Sequence, residues 1–239
     1  MPSWKVHRII GEIVCNFYDH EIDKLIDLTE RHDAGRYDSQ VLKEQFKYVY
    51  RKWGAEGICY YVLHHILDRL SDIVVSELQQ LCESYVFGKI SVEEAYNRLY
   101  ENSFRRLSDD VKKFAKTYDY IRDEVLSSFF EYILASLRAG WEGVLFFVLL
   151  DTPEGKQPLI AKRVLNVMAV KSAAYQYKYR LRLDMRKAVD FLLEMGEVAT
   201  KKFEDFRKRT QERTHELTKM YEQILPKLRE ALDRLNSHA

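Results

Sequence analysis

The chain has 239 residues, of which 46% are hydrophobic and 31% are charged, so its composition is globular and allows a sizeable core. Its 38 Lys and Arg residues nearly cancel its 37 Asp and Glu residues, and the overall charge therefore gives no reason to expect a polyanionic partner. Only 9 glycines and 4 prolines interrupt the chain, which favours long helices. The scarcity of Asn and Gln indicates a thermophilic source.

The three cysteines, Cys15, Cys59 and Cys82, are odd in number, far apart and flanked by apolar residues. This pattern predicts buried thiols in a reducing compartment rather than a disulfide framework. The N-terminus lacks the apolar core of a secretory signal, and the longest apolar run, residues 143–150, is shorter than the roughly 20 residues that span a bilayer. We therefore expect a soluble, cytoplasmic protein with no membrane partner.

The first helical pattern covers residues 4–31, where apolar side chains recur every three or four residues. It is interrupted near Asp19 and His20. Gly35 is predicted to stop this helix, and a second helix then runs to Trp53. Gly54 and Gly57 bracket the turn that follows.

Residues 58–81 are apolar around much of the helix circumference, which predicts the central helix of the bundle. Ser91 and Glu94 have the spacing of a capping box and predict the start of the next helix. A further helix follows Asp109 or Asp110 and ends at Gly140.

Residues 141–170 permit two interpretations. LFFVLL is strand-like and DTPEGK has the composition of a turn, so the segment reads as a hairpin. A buried helix, a tight loop at residues 151–157 and a new helix from Pro158 are equally consistent with it. We favour the helices because the neighbouring segments are helical.

Beyond Pro158 no stop signal occurs before Pro226, and a heptad stripe predicts a long helix that folds back or self-associates. The predicted fold is all-α: an irregular helical bundle in residues 1–150 and a long, coiled-coil-like helical hairpin or arm in residues 151–239. The stripe comprises Met185, Val189, Leu192, Gly196, Ala199, Phe203, Phe206, Thr210, Leu217, Met220 and Ile224.

Histidines are crowded at the N-terminal end of the chain. Histidine is the commonest metal ligand and the usual acid–base group near neutral pH, so we expect any site to lie there. Five of the seven histidines fall in the first 65 residues, namely His7, His20, His32, His64 and His65.

The doublet His32-Asp33, followed by Ala34-Gly35-Arg36, resembles the signature of the HD-domain superfamily, all-helical metal-dependent phosphohydrolases and nucleases. A histidine precedes the doublet and others follow it in that family, as His7 and the pair His64-His65 do in this sequence. The resemblance covers residues 1–125 at most. It implies a phosphoester substrate, either a nucleotide or a nucleic acid.

The resemblance also implies a ligand set for a divalent transition metal such as Mn²⁺, Fe²⁺, Ni²⁺ or Zn²⁺. His64 and His65 lie about 100° apart on a helix, so only one of them can face a given ion. Asp68 would ligate the metal or orient a histidine, and Arg36 would hold the phosphate. The implied ligands are His7, His32, Asp33 and His64 or His65, and the candidates for the final aspartate are Asp68, Asp72, Asp109, Asp110, Asp119 and Asp123.

Each of these patterns also has a simpler explanation. His32-Asp33 has the composition of a helix C-terminus followed by a glycine cap. Glu212 and His215 have the ExxH spacing of di-iron bundles, but such a site needs a second ExxH motif, which the sequence lacks. Arg209 and His215 are similar to the loose Rx4–6H signature of HEPN-type ribonucleases.

The alternative function is non-catalytic. Residues 178–213 carry 11 Lys and Arg against 7 Asp and Glu, and Tyr175, Tyr177 and Tyr179 lie at or just before this segment. Basic and aromatic side chains together favour nucleic-acid binding, whereas mixed charges are also typical of a solvated helix face. The chain would then bind nucleic acid, a protein partner or a second copy of itself through its long basic helix, and the candidate contacts are Lys201, Lys202, Arg207, Lys208 and Arg209.

Overall fold

A computed structural model describes residues 3–28, 39–117, 124–150 and 159–209, and these residues contain eight helices and no strand. The predicted all-α fold is thus confirmed. The helices are α1 (Trp4–Cys15), α2 (His20–Asp27), α3 (Ser39–Val86), α4 (Val92–Thr117), α5 (Glu124–Ala139), α6 (Trp141–Leu149), α7 (Leu159–Tyr179) and α8 (Met185–Arg209).

The contacts divide the chain into two compact units, each assembled from separate segments. One unit contains Trp4–Asp68 and Ser108–Gly140, and the other contains Arg69–Leu107 and Trp141–Arg209. The division predicted at residue 150 follows chain order, whereas these units alternate along the chain. All residues of the candidate centre described below belong to the first unit.

Helix α3 is interrupted at one glycine and closed by another. Gly54 has φ 68° and ψ −155°, which is outside the helical region, while Gly57 lies within the helix. At the C-terminal end Gly88 has φ 69°. Its N–H donates to the Tyr85 carbonyl, and the N–H of Lys89 donates to the Ser84 carbonyl. These two bonds form a Schellman motif. The intervening helix includes the predicted central segment, and most of its side chains are buried.

Predicted starts and stops agree with several observed helix ends. The break near Asp19 is present, and the Asp19 carboxylate caps α2 by accepting a bond from Glu21 N–H at 2.8 Å. Ser91 caps α4 through a bond from Glu94 N–H at 3.2 Å, whereas the Glu94 side chain pairs with Arg98. Helix α5 ends before Gly140, and residues 141–149 form α6, so the hairpin interpretation of this stretch is wrong.

The sequence shows no clear stop signal between Pro158 and Pro226, yet the structure breaks the helix before Met185. Helix α7 ends at Tyr179, and α8 begins at Met185. Arg180 has φ 52°, and Asp184 caps α8 through bonds from the N–H groups of Arg186 and Lys187. An aspartate cap therefore restarts the helix where no glycine or proline marks a break.

Helix α8 folds back on α6, although its buried face differs from the predicted stripe. Val189 of that stripe is 41% exposed, while Ala199 of the stripe is buried. The other buried positions are Ala188, Phe191 and Met195, which lie outside the stripe. Further along, the Phe203 ring stacks on Phe146 with centroids 4.3 Å apart. Residues of the stripe from Thr210 onward lie outside the described residues.

The cysteine prediction is wrong for two of the three residues. A disulfide joins Cys15 at the end of α1 to Cys59 on α3, and Cys82 is a buried free thiol. Disulfides occur in oxidising compartments and also inside hyperthermophilic cells, so the cysteines no longer argue for a reducing compartment.

Among the described residues no single helix has both the length and the apolar composition to cross a bilayer, and Phe130–Ala139 and Trp141–Leu149 meet these criteria only when counted together.

Candidate metal centre

Helix α1 packs on α3 through side chains one turn apart. Gly11 faces Tyr60 so closely that a Cβ on the glycine would lie 2.6 Å from two atoms of the tyrosine ring. Four residues later on α1, Cys15 is bonded to Cys59. Four residues earlier, His7 meets the ring of His64. The absence of a side chain at Gly11 thus permits the close approach that brings the two histidines together.

The two imidazole rings are stacked and completely buried. Their centroids are 3.9 Å apart, with 1° between the planes, and both side chains are 0% exposed. Asp68, one turn beyond His64 on α3, approaches both rings: its Oδ1 is 3.4 Å from His7 Nε2, and its Oδ2 is 3.6 Å from His64 Nε2. Within the described residues, neither Asp68 oxygen and neither His7 nitrogen has a hydrogen bond of normal geometry.

Helix α2 contributes two more carboxylates from successive turns. Asp23 Oδ1 is 2.9 Å from His64 Nδ1, and Asp27 Oδ1 is 3.3 Å from His64 Nε2. The Tyr60 hydroxyl donates to Asp23 at 2.5 Å, and Trp4 Nε1 donates to the second oxygen of Asp27 at 2.6 Å. His64 is therefore held between two aspartates, each of which is fixed by a donor from another helix.

The pKa shifts describe a strongly coupled cluster. Burial lowers the pKa of His64, but the hydrogen bonds to Asp23 and Asp27 outweigh it and raise the value to about 9. Burial and the charge of His64 lower the pKa of His7. Burial alone would raise the pKa of Asp68, yet the neighbouring imidazoles lower it. Without a metal the cluster thus combines a protonated His64 with a neutral His7.

The same donors suit a divalent transition metal. One atom each from His7, His64 and Asp68 fall within 4.8 Å of one another, and all three side chains are buried. Ligand atoms about 2.0–2.2 Å from one ion lie up to roughly 4 Å apart. To bind one ion, the stacked rings of His7 and His64 would have to tilt out of their parallel arrangement, because a metal lies in the plane of each imidazole that binds it. Asp27 Oδ1 offers a fourth ligand atom beside His64 Nε2.

The surrounding hydrogen bonds have the arrangement that supports metal ligands. A ligating histidine commonly donates its other nitrogen to a carboxylate, which fixes the ring and its tautomer. Asp23 occupies this position on His64 Nδ1, and Tyr60 in turn donates to Asp23. Trp4 fixes Asp27 in the same way.

The described residues bring together only part of the predicted ligand set. His7, His64 and Asp68 converge, and Asp68 is thereby the aspartate favoured among the four candidates that the structure describes, Asp68, Asp72, Asp109 and Asp110. His65 is buried but outside this group, with its ring edge-on to Tyr61 at 4.9 Å between centroids. Asp72 pairs with Arg163. The predicted residues His32, Asp33 and Arg36 lie outside the described residues, as do Asp119, Asp123, Glu212 and His215.

The predicted nucleic-acid contacts lie on α8. Lys201, Lys202, Arg207 and Lys208 are exposed, and Arg209 is the last residue of the helix. The Lys208 ammonium lies 3.9 Å from Asp205. Their exposure agrees with either a binding surface or a solvated helix face, so the prediction stays open.

Asp23 and Asp27 are members of the cluster that sequence reasoning missed. They alternate with Ile22 and Ile26, which are buried, so the two carboxylates share the inward face of a short amphipathic helix. A pair of acidic residues four apart on an apolar face is the signal that would have found them.

Comparisons with protein-family models, curated proteins and solved structures find no match to this chain.

Proposed function

We propose that this protein is a divalent-metal-dependent phosphohydrolase or nuclease of HD type, whose metal is held by His7, His64 and Asp68. The observation that carries the proposal is the convergence of these three buried side chains, with ligand atoms within 4.8 Å of one another. Two imidazoles and a carboxylate suit Mn²⁺, Fe²⁺, Ni²⁺ or Zn²⁺.

The charge of the cluster favours a bound cation. Three carboxylates, Asp23, Asp27 and Asp68, surround one protonated and one neutral imidazole, which leaves a formal charge of −2 in a buried site. Burying uncompensated charge is strongly unfavourable. A divalent ion bound to His64 would displace its proton to solvent, and three carboxylates with one divalent cation would leave a smaller formal charge of −1.

The missing hydrogen bonds favour a ligand over a purely structural network. Buried polar groups in native proteins are nearly always paired, since an unpaired buried group costs about 1–3 kcal/mol. His7 and Asp68 nevertheless make no hydrogen bond of normal geometry within the described residues. A metal ion would satisfy His7 Nε2 and the Asp68 carboxylate at once.

The phosphoester chemistry rests on the neighbouring sequence and on the least buried side of the cluster. Asp27 is the most exposed carboxylate of the cluster, at 7% against 0% for Asp23 and 3% for Asp68. His32 and Asp33 follow Asp27 by five and six residues in the sequence. A metal bound here would lower the pKa of a coordinated water and polarise a phosphoester. Asp23 would hold the His64 ring, and Arg36 remains the predicted phosphate clamp.

The test uses the full chain purified without a histidine tag. Metal content is measured by mass spectrometry, and hydrolysis of bis(4-nitrophenyl) phosphate and of single-stranded RNA is assayed with Mn²⁺ or Ni²⁺. Asp68→Asn is expected to lose metal and activity together. Asp72→Asn is the matched control, because Asp72 is on the next turn of the same helix in a solvent-exposed pair with Arg163.

The expected result is a metal-loaded parent and Asp72→Asn variant, both of which hydrolyse the phosphodiester and lose activity in EDTA. A parent that neither binds metal nor hydrolyses any phosphoester would overturn the proposal. So would an Asp68→Asn protein as active as the Asp72→Asn control.

A further inference from the structure

The turn between α7 and α8 concentrates positive charge at the surface. Residues 177–187, here called the basic turn, contain five cations and one acidic residue, although the whole chain carries a net charge of only +1. All five cations are exposed: Lys178, Arg180, Arg182, Arg186 and Lys187. The acidic residue, Asp184, already accepts bonds from the first amides of α8.

The cations of the basic turn differ from two earlier cations of α7 in their ion pairing. Earlier on α7, Arg163 pairs with Asp72 at 2.8 Å, and Lys171 pairs with Glu83 at 2.6 Å. Lys178, Arg180, Arg186 and Lys187, by contrast, have no ion-pair partner among the described residues. Two cations in the packed part of α7, Arg163 and Lys171, are therefore paired with carboxylates, whereas four of the five cations in the basic turn are not paired with any described carboxylate.

Two tyrosines lie among these cations with their rings in solvent. Tyr177 is 94% exposed, Tyr179 is 60% exposed, and the Lys178 ammonium lies 5.2 Å from the centre of the Tyr179 ring. Tyr175, one turn earlier, instead donates its hydroxyl to Glu83. The Tyr177 ring is therefore almost fully open to solvent, whereas the Tyr179 ring is exposed but flanked by Lys178 and Tyr175.

The backbone of the basic turn is held in one conformation. Arg180 has φ 52°, and the N–H groups of Arg180 and Leu181 bond to the carbonyls of Gln176 and Tyr175. The Arg182 side chain donates to Gln176 Oε1 at 3.2 Å. A fixed backbone reduces the ordering that binding would require of these side chains.

We propose that the basic turn binds single-stranded nucleic acid, with its cations on the phosphates and Tyr177 and Tyr179 stacked on bases. Arginine offers planar donors that match phosphate oxygens, and exposed aromatic rings stack on bases that are not paired in a duplex. This inference goes beyond the proposed metal chemistry and does not depend on it.

A strand of nucleic acid fits the turn better than a lipid surface does. Segments that insert at membranes carry a continuous apolar face with Trp, Phe or Leu. Within the turn, Leu181 is 45% exposed and Leu183 is buried, so the exposed groups are mainly tyrosines and cations. The basic residues of α8 are also a poorer candidate, because Glu197, Glu204 and Asp205 intersperse them.

The test measures binding of fluorescein-labelled 20-nucleotide poly(U) and poly(dT) by fluorescence anisotropy in EDTA, which prevents metal-dependent cleavage. Arg186→Ala/Lys187→Ala removes two phosphate contacts, and Tyr177→Ala removes a stacking surface. The matched control, Lys112→Ala/Lys113→Ala, removes the same charge from an exposed face of α4. All substituted residues are exposed, and circular dichroism checks that each variant keeps the helical content of the parent.

The parent is expected to bind both strands with a Kd that rises steeply with salt. Arg186→Ala/Lys187→Ala should bind about tenfold more weakly or worse at low salt, with a salt slope smaller by about 1 per cation removed. Tyr177→Ala should weaken binding about fivefold or more. The control should bind like the parent.

Three results would overturn the proposal. One is a parent that does not bind either strand, and another is a control that weakens binding as much as the variants of the turn. The third is binding to vesicles of phosphatidylcholine and phosphatidylserine that the turn variants abolish, without nucleic-acid binding. Loss of metal binding in Asp68→Asn has no bearing on these readouts, so failure of one proposal is distinguishable from failure of the other.

Discussion

The imidazole rings of His7 and His64 lie face to face, with centroids 3.9 Å apart, at the centre of three helices. Both rings cannot be protonated at this separation without strong repulsion, and the lowered pKa of His7 and raised pKa of His64 assign the proton to His64. His7 thus retains a nitrogen lone pair for a metal. Four predictions follow from this region of the fold.

Metal should stabilise the protein through His7. A ligand present at 100 times its Kd stabilises the folded state by about 2.7 kcal/mol, which is several degrees in Tm for a chain of this length. His7→Phe keeps an aromatic ring against His64 but removes both nitrogens, so the Tm should no longer respond to Mn²⁺ or Zn²⁺. His20→Phe is the control, since the His20 side chain is 56% exposed. A metal-dependent rise in Tm that survives in His7→Phe contradicts the ligand role.

The metal-free protein should lose stability as the pH rises from about 6.5 through about 9. The folded-state pKa of His64 is raised to about 9, so its contribution is present in full below the ordinary value of 6.5 and disappears as the ring deprotonates in the folded state. The expected loss is on the order of 3 kcal/mol. Urea unfolding in EDTA at pH 6.5, 8 and 9.5 measures it, and a constant free energy of unfolding across that range counts against the pairing.

Acid should destabilise the same protein for a different reason. The pKa values of Asp27 and Asp68 are lowered by the imidazoles, so their contribution is present above the ordinary value of 3.8 and is lost as the pH falls toward the folded-state values. His7, whose pKa is lowered by burial and by His64, disfavours the folded state as the pH falls below 6.5. The free energy of unfolding without metal should therefore be highest near pH 6.5.

Gly11→Ala should separate α1 from α3. Its Cβ would lie 2.6 Å from the Tyr60 ring, which is buried and hydrogen-bonded to Asp23. Such overpacking costs about 1–3 kcal/mol, and metal affinity should fall because His7 is on the displaced helix. Gly140→Ala is the control, since its Cβ would have its nearest neighbour at 3.6 Å. Equal unfolding free energies and metal affinities for the two variants would show that the close approach is unimportant.

The thiol count should distinguish the disulfide from free cysteines. Cys82 is buried, and burial raises its pKa to about 12, so a thiol reagent should find almost no reactive thiol in the native protein. Denaturant without reductant should expose one thiol, and reductant should expose three. Finding three thiols in denaturant alone would rule out the bond between Cys15 and Cys59.

Removing that bond tests its contribution to stability. Cross-linking two residues 44 apart in the sequence restricts the unfolded chain by about 4 kcal/mol in the chain-entropy treatment. Cys15→Ser/Cys59→Ser should lower the free energy of urea unfolding by an amount of that order. Cys82→Ser provides a comparison with a buried cysteine that has no covalent partner.

Local signals in the sequence predicted several helix ends, because caps and glycines act within a few residues. Gly54, Ser91 and Gly140 all stand at observed ends or breaks. The helix start expected at Asp109 or Asp110 was wrong, since both residues lie inside α4. The break before Met185 was missed because it depends on the Asp184 cap and on a positive φ at Arg180. Arginine and aspartate are also common on the exposed surface of a helix, so the residue types at these positions do not mark a break.

The centre was predicted only in part because its members come from three helices. His7, His64 and Asp68 were identified from histidine crowding and helical spacing, whereas Asp23 joins them only through the packing of α2 against α3. The pairing of Cys15 with Cys59 likewise depends on how α1 meets α3, and cysteine spacing alone cannot specify a connectivity.

The disulfide has one further consequence, for the integrity of the centre after proteolysis. His7 precedes Cys15 in the chain and His64 follows Cys59, while Asp23 and Asp27 lie between the two cysteines. A single peptide-bond cleavage anywhere between residues 15 and 59 therefore leaves two fragments joined through sulfur. The helices that carry His7 and His64 would remain in one covalent molecule, and a nicked protein would separate into its fragments only after reduction.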